Sequence, residues 1–434
     1  MDEQQVTLLE QETKEEEVVS QLPESFEYTT VKKRARHAAP TKPTTVVKRV
    51  FGGIGIALLS VIVLVVATFL FIFYSPWTHE YRDQYILMTY HTSNPWLCTW
   101  FFSQETIDEV LDNNSFKEPE PVIPNEPDEP DEPNEPAAPI EFATSDKYPA
   151  EVIYDDGEVQ IIKFSGTTSK GKYTARLIQV KDPSRMTLGV AKNVGDKDNP
   201  TKKPGKGQII ADMCTDNDAL CGINAGGWVD INGVGTGGIP LGTVVKDGVM
   251  TVYTEEENHT IIGFDYKNRL VMGKFNPYQV ASLGIRDAVS WREPAVLIRG
   301  GVMAEFSGLA GGYDPRSAIG QREDGMVLLL VVDGSSKRSI DGANFALMAD
   351  ILHEFGAINA ANLDGGTSSS MALNGKIINT VCNPAIVSRG RYLATTWLVK
   401  NVSEDDVQTD ATTTTVVTGD TTTVLATTTT TQVQ

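Results

Sequence analysis

The chain has 434 residues and a formal net charge of −20 at pH 7, so it is longer than one ordinary domain requires. Much of this negative charge lies in the first twenty residues and in residues 118–135, which indicates acidic tails and linkers. This acidity argues against nucleic acid as a partner. The four cysteines include no Cys-x-x-Cys pair, which argues against thiolate zinc and thioredoxin-like chemistry. Cys214 and Cys221 are compatible with a disulfide in an exported domain or with two buried thiols.

The N-terminal part predicts a membrane anchor. Residues 1–49 are predicted to form a disordered cytoplasmic tail that ends in a cluster of lysines and arginines. Residues 50–77 are apolar and uncharged, long enough to cross a bilayer as a helix. The segment starts too late and runs too long for a signal peptide. Because basic residues are retained in the cytoplasm, everything after this helix is predicted to lie outside the cell membrane.

Two further segments separate the anchor from the main domain. Residues 78–117, here called the collar, contain Trp96, Trp100, Phe101 and Phe102, which suit a membrane interface. The collar is predicted to contain a short helix capped by Ser103, although a plain stalk would explain the same residues. Residues 118–140 repeat proline and acidic residues, which favours a stiff extended linker over a binding motif for a proline-reading module.

The domain itself is predicted to be α/β, within residues 141–402, and to be followed by a disordered Thr-rich tail at 403–434. Its first half is β-rich, with hairpin signals at Asp156-Gly157 and Asp247-Gly248. In the second half, an apolar run at 326–336 predicts a strand buried on both faces. An amphipathic helix and a short strand follow it, so a βαβ unit with neighbouring parallel strands is predicted within a mixed sheet.

This predicted βαβ unit would bring two aspartates together. Asp333 follows the first strand and Asp364 the second, and each precedes a glycine. Ligands bind at the carboxyl ends of parallel strands, so a shared pocket is predicted, although an Asp-Gly pair is also an ordinary turn. A divalent cation bridging Asp333 and Asp364 is compatible with these ligands, but the sequence requires no cofactor and no metal.

Other residue types narrow the chemistry. The predicted domain has two histidines, His259 and His353, and neither a G-x-S-x-G nor a P-loop motif, which argues against serine hydrolysis and nucleotide binding. The serines that follow Asp364 are therefore predicted to donate hydrogen bonds. Asn224 either presents its amide to a ligand or ties down a turn. Arg316 either forms a salt bridge with an aspartate or holds a phosphate.

Five motifs together resemble a known family. "GINAGGW", "PRSAIG", "VVDG", a helix ending in "FGA" and "NLDGGTSSSMALNGK" occur in the order typical of phosphodiester glycosidases, over about residues 205–400. That family includes an enzyme that removes N-acetylglucosamine to uncover mannose 6-phosphate, as well as bacterial exopolysaccharide-associated proteins. The anchor and collar resemble those of Gram-positive members. The sequence departs from the family pattern at Thr367 and at Trp228. These departures affect the expected substrate specificity but not the overall resemblance.

The resemblance implies hydrolysis of a sugar-1-phosphodiester at the sugar carbon, in an extracellular phosphorylated glycan. It places Asp364 as the chemical carboxylate, Asp333 as its partner and Arg316 on the leaving phosphate. The same resemblance implies substrate contacts at Asn224, Gly365, Gly366, Thr367 and Ser369. Two rival classes remain: a non-catalytic receptor for phosphorylated glycopolymers, and a structural wall protein.

Overall fold

The computed structural model describes residues 43–90, 95–120, 139–195, 205–230, 235–253, 259–292, 294–334, 342–382 and 389–402, and the backbone of short stretches between 407 and 433. The predicted acidic tail, most of its basic cluster and residues 121–138 of the linker lie outside the described residues. The chain divides into two units, Met1–Phe69 and Leu70–Gln434.

Seven α-helices are found in the described part of the chain. They are α1 (Pro43–Tyr74), α2 (His79–Thr89), α3 (Trp96–Thr99), α4 (Gln104–Asn113), α5 (Ile210–Asp216), α6 (Pro277–Ser282) and α7 (Phe345–Glu354). Within α1, the segment Ile54–Tyr74 has 21 residues and a mean hydropathy of 3.1, and it is long and apolar enough to cross a membrane. The predicted apolar helix is thus present.

The strands carry most of the fold. They are β1 (Phe116–Lys117), β2 (Glu151–Asp155), β3 (Val159–Thr167), β4 (Lys172–Val180), β5 (Met186–Val190), β6 (Ala219–Asn224), β7 (Val244–Lys246), β8 (Val249–Val252), β9 (His259–Asp265), β10 (Leu270–Phe275), β11 (Ile285–Trp291), β12 (Val296–Arg299), β13 (Val302–Met303), β14 (Glu305–Phe306), β15 (Arg316–Arg322), β16 (Val327–Asp333), β17 (Ala357–Asn362), β18 (Met371–Leu373), β19 (Lys376–Ile377) and β20 (Thr395–Lys400). The two predicted Asp-Gly hairpins join β2 to β3 and β7 to β8.

Three larger sheets share one core. The order in the eight-stranded sheet is β13-β12-β17-β15-β16-β4-β3-β2, and the two five-stranded sheets are β10-β9-β11-β7-β8 and β19-β18-β6-β20-β5. The core between them contains Phe264 and Trp397, which pack edge to face. Strand β16 is buried on both faces, as predicted: Val327, Leu329 and Val331 pack in this core, and the alternate residues pack in a second core under α7.

The predicted adjacency of the βαβ strands is wrong. Strand β15 lies between β16 and β17 and pairs antiparallel with both of them. All pairings described for this sheet are antiparallel. The physical reason is the hairpin formed by residues 316–333, whose first strand takes the central place before α7 crosses over. The carboxyl ends of β16 and β17 are therefore about two strand spacings apart, roughly 10 Å.

The collar is a packed part of the second unit and not a stalk. Its helices enclose a small core that contains Ile86, Phe102 and Ile107. Ser103 caps α4, as predicted, because its Oγ accepts a hydrogen bond from the Thr106 amide (3.2 Å). Strand β1 pairs with β14 of the main domain. The folded domain thus extends beyond the predicted start at residue 141.

The structure also describes parts of the Thr-rich tail and, for Cys214 and Cys221, selects the second of the two predicted alternatives. The tail was predicted to be disordered, but Val407–Thr412 pairs with Thr428–Val433, and Val417–Thr418 pairs with Thr421–Thr422. Threonine and valine are β-branched and favour strands, which explains this pairing. Cys214 and Cys221 are buried free thiols. Burial raises the pKa of Cys214 to about 12, so its thiol is unreactive at neutral pH.

Candidate active site

A cavity of about 580 Å³ opens at the sheet edge where β17 ends and β15 begins. One wall is the loop after β17, which contains Asp364, and a second wall is the segment from Gly311 to Arg316. A third wall contains Trp228 and Trp291, and the collar supplies the fourth. The cavity therefore combines carboxylates, arginines and aromatic side chains, that is, apolar surfaces with a few convergent polar groups, as is typical of a ligand site.

The backbone of Asp364 is fixed from both sides. Its amide donates to the carbonyl oxygen of Ala225 (3.1 Å), and its carbonyl oxygen accepts from Nδ2 of Asn224 (2.6 Å). The Oδ1 atom of Asn224 accepts in turn from Ser317 Oγ (2.7 Å) and the Ser370 amide (3.1 Å). Asn224 is fully buried and is not among the residues that line the cavity. Its role is therefore to position Asp364, and the structure places no substrate contact on it.

The two glycines after Asp364 allow the loop to approach the second wall. A Cβ on Gly365 would lie 3.0 Å from the carbonyl oxygen of Pro315, and one on Gly366 would lie 3.2 Å from Oδ2 of Asp314. Gly366 also has a φ of +60°, and its amide donates to Pro315 (2.7 Å). Side chains at these positions would separate the loop from the segment that carries Asp314.

The carboxyl group of Asp364 is only partly satisfied. Ser368 and the Gly365 amide bond to it, yet its buried Oδ2 has no hydrogen-bond partner among the described residues. Burial raises the pKa of Asp364 to about 6, although Ser368, Arg391 and the Gly365 amide act against the rise. A buried carboxylate oxygen without a partner is costly, so this atom is arranged for a ligand, a water molecule or a proton.

Asp314 lines the cavity close enough to Asp364 for their charges to interact, and the sequence interpretation missed it. Burial raises the pKa of Asp314 to about 7; the nearby charge of Arg316 lowers it, and that of Asp364 raises it further. Two neighbouring carboxyl groups with separated pKa values can act as a base and an acid near neutral pH. The signal was present, because Asp314 opens the quoted motif "YDPRSAIG" two residues before the chosen arginine.

Arg316 lines the cavity, as predicted, but two of its three guanidinium nitrogens already donate to backbone carbonyl oxygens. Nη2 donates to the carbonyl oxygens of Gly311 (2.7 Å) and Gly312 (3.0 Å), and Nε donates to that of Ala343 (3.3 Å). The guanidinium lies 4.5 Å from the centre of the Phe345 ring. The remaining nitrogen, Nη1, is beside Gly365 and faces the loop. Arg316 is thus held rigidly, with one nitrogen directed towards the Asp364 loop.

Arg391 is a second arginine that the sequence interpretation missed. It donates to Thr367 Oγ1 and to Asp230 Oδ2 (2.9 Å), and it stacks on Trp228 at 4.4 Å. Its charge lowers the pKa of Asp364. Thr367, a predicted substrate contact, lines the cavity and holds this arginine. No local motif marks Arg391, because it reaches the site from a distant loop.

Asp333 lies elsewhere. It forms an ion pair with Nη1 of Arg176 (2.5 Å), and it accepts from Asn379 Nδ2 (2.8 Å) and the Thr380 amide (2.9 Å). Burial raises the pKa of Asp333, and these three partners act against the rise. Asp333 is not among the residues that line the cavity. The structure therefore does not bring it to Asp364, because β15 separates the two strand ends.

The remaining predictions are divided between the cavity and its support. Gly365 and Gly366 line the cavity, whereas Ser369 is buried and absent from the lining. The carbonyl oxygen of Ser369 accepts a hydrogen bond from Asn379 Nδ2 (3.2 Å). The same nitrogen also donates to Asp333. Asp333 therefore supports the loop indirectly. Among the described residues no group of three or more His, Cys, Asp or Glu side chains could hold a metal ion, and a cation at Asp333 and Asp364 would require the two carboxylates to meet.

Comparison with known proteins supports the motif resemblance. Residues 217–400 match the family model described as phosphodiester glycosidase. The SPbeta prophage-derived uncharacterized protein YomE of Bacillus subtilis (strain 168) is 31% identical over 183 residues, which cover 40% of this chain and 27% of that protein. N-acetylglucosamine-1-phosphodiester alpha-N-acetylglucosaminidase of Mus musculus is 35% identical over 72 residues, which cover 17% of this chain and 14% of that protein. The chain thus spans about a quarter or less of these curated relatives.

Among solved structures, the catalytic domain of zebrafish N-acetylglucosamine-1-phosphodiester alpha-N-acetylglucosaminidase, auto-inhibited by its pro-peptide, is similar to this chain. The TM-score is 0.46 at 19% sequence identity, and the similarity covers 60% of this chain and 87% of that chain.

Proposed function

We propose that the chain is a membrane-anchored extracellular hydrolase, because residues 217–400 match the phosphodiester glycosidase family model. Its reaction is the hydrolysis of a sugar-1-phosphodiester bond in a cell-envelope or exopolysaccharide glycan. The bond between the sugar carbon and its oxygen breaks, water supplies the new hydroxyl group, and a phosphomonoester leaves. The observation that carries the proposal is the buried oxygen of Asp364 that has no hydrogen-bond partner among the described residues, in a cavity that also contains arginines.

The two ends of the cavity suit the two parts of this substrate. Trp228 and Trp291 offer aromatic faces to a sugar ring, beside Arg391. Arg316 places positive charge where the phosphate would lie, and a fixed guanidinium needs no reorganisation during the reaction. This assigns Arg316 to the phosphate, with its remaining nitrogen as the contact.

Asp364 and Asp314 have different roles in proton transfer. At neutral pH Asp364, with a pKa of about 6, is mostly ionised and acts as the nucleophile or as the base towards water. Asp314, with a pKa of about 7, is protonated in about half of the molecules and can donate to the leaving oxygen. A phosphomonoester has a second pKa of about 6, so it leaves without a strong acid, and a weak donor is sufficient.

The location follows from the anchor. Basic residues precede the helix that could span the membrane, and the positive-inside rule then places the N-terminus in the cytoplasm and the cavity outside. Protease added to intact cells is expected to cut in residues 118–140 and to leave the anchor in the membrane. Protection of this segment until the cells are lysed would contradict the orientation.

The direct test of the activity uses the full chain in detergent, because the collar forms a wall of the cavity. The methyl ester of N-acetylglucosamine 1-phosphate is a suitable first probe, and the expected products are free sugar and methyl phosphate. Asp364→Asn should abolish the release of sugar, whereas the control Asp146→Asn, at an exposed position, should not affect it. A wild-type protein that binds several sugar-1-phosphodiesters without releasing sugar would instead be a receptor for phosphorylated glycopolymers.

A further inference from the structure

The collar contributes both apolar and polar side chains to the cavity. The apolar ones are Leu87, Met88, Leu111 and Phe116, which together are called the collar wall, and the polar ones are Asp112, Asn114 and Ser115. No part of the phosphodiester glycosidase match, residues 217–400, covers this wall. The collar wall is thus an addition of this chain to the site that the family match covers.

The collar wall continues directly from the proposed phosphate position. Arg316 stacks on the ring of Phe345 at 4.5 Å, and Phe345 packs edge to face on Phe116 with 5.1 Å between ring centres. A phosphodiester held at Arg316 would therefore lie close to Phe345 and, beyond it, to Phe116 of the collar wall. A group attached to the phosphate at that side would lie against the collar wall.

The same wall lies near the end of the helix that could span a membrane. Phe73, one residue before the end of that helix, packs edge to face on Tyr85 with 5.2 Å between ring centres. Tyr85 precedes Leu87 by two residues on one helix, a rise of about 3 Å. The side chains of Trp77, just before the collar, and Trp100, within it, are exposed and suit the polar boundary of a bilayer. The helix that carries Leu87 and Met88 of the collar wall is thus in contact with the end of the apolar helix.

We propose that the substrate is a lipid-linked sugar phosphodiester whose alkyl or prenyl chain packs on the collar wall while its sugar lies against the tryptophans. This inference rests on the proposed function for the phosphodiester chemistry and adds the class of the group on the other side of the phosphate. An apolar chain on this wall improves binding by roughly fourfold for each methylene group that it buries.

The test compares two water-soluble esters of N-acetylglucosamine 1-phosphate, the methyl and the octyl ester. Their dissociation constants are measured with full-length Asp364→Asn protein in nanodiscs, so that binding is observed without turnover. We expect the octyl ester to bind at least about tenfold more tightly. In the same background Met88→Gln and Leu111→Gln should each reduce this ratio several-fold, because they place a polar amide on the collar wall. Thermal unfolding identifies any variant that has not folded.

A matched control separates the wall from partition into lipid. Met303 is an exposed methionine outside the cavity lining, and Met303→Gln should leave the ratio unchanged. A ratio that neither collar-wall variant alters would overturn the inference, since any preference would then come from the bilayer. Turnover of both esters by the wild-type protein is measured separately. If neither ester releases sugar while the ratio depends on the collar wall, the proposed function fails and the lipid-tail site stands.

Discussion

Asp333 and Asp364 occupy similar positions in the sequence, each at the end of a buried strand and each before a glycine, but their surroundings differ. Asp333 is saturated by Arg176, Asn379 and Thr380. Asp364 is fixed through its backbone and keeps one buried carboxylate oxygen without a partner among the described residues. The difference teaches that a strand end becomes a reactive site when its carboxylate is positioned but not neutralised. Four predictions test this contrast.

The largest effect is expected from Asp364→Asn. The amide retains the shape and the bonds to Ser368 and Gly365, but it removes the charge that attacks or activates water. We expect turnover to fall by about a thousandfold or more, with substrate binding retained. Steady-state kinetics with the methyl ester measures the loss, and Asp146→Asn is the control. Near-normal turnover in Asp364→Asn would remove this residue from the chemistry.

Asp333→Asn should affect stability and not chemistry. The substitution leaves Arg176 buried without its counter-charge, which should lower the free energy of unfolding by about 3 kcal/mol. Turnover per folded molecule should change by less than about tenfold, because the residue reaches the loop only through Asn379. Denaturant titration in detergent measures the free energy of unfolding. Turnover is the maximal rate divided by the concentration of active sites. A thousandfold loss of turnover in well-folded protein would place Asp333 in the reaction.

Asp364→Asn should also stabilise the protein at neutral pH. The carboxyl group binds its proton more tightly in the folded state, with a pKa of about 6, than in the unfolded chain, where it is 3.8. The stability contributed by this group is therefore complete below pH 4 and lost as the pH rises through 6. We expect Asn to raise the free energy of unfolding by about 3 kcal/mol at pH 7.5 and by only about 0.5 kcal/mol at pH 4. Equal effects at both pH values would contradict the raised pKa.

The smallest effect is expected from a substitution of Arg316, the arginine beside the loop that carries Asp364. Arg316→Lys retains a charge but loses the bonds to Gly311, Gly312 and Ala343 that hold the guanidinium. We expect kcat/KM to fall by about tenfold, through weaker binding and slower turnover together. A substrate with a better leaving group should partly rescue kcat. As a contrast, Arg176→Lys should lower the free energy of unfolding. It should leave the dependence of kcat on the leaving group as it is in the wild-type protein. An unaltered kcat/KM in Arg316→Lys would exclude a phosphate contact.

Much of the frame could be predicted from the sequence. The apolar run of β16, the helix that follows it and the glycines after Asp364 depend on local periodicity and turn chemistry, and all three are present in the structure. The order of strands could not be predicted, because the choice of a neighbour for β17 depends on long-range packing. For the same reason Asp333 was placed at the site, Arg391 was missed, and the collar was described without its role as a wall of the cavity.

The central claim is that Asp364 and Asp314 form the working pair, and the pH dependence of kcat/KM tests it most directly. A phosphodiester substrate does not titrate between pH 4 and 9, so the profile reports the free enzyme. The pair should titrate with apparent pKa values of about 6 and about 7, which gives a bell-shaped profile. Asp314→Asn should remove the falling limb and keep the rise. A bell that Asp314→Asn leaves intact, or a wild-type profile that does not rise between pH 5 and 7, would contradict the account.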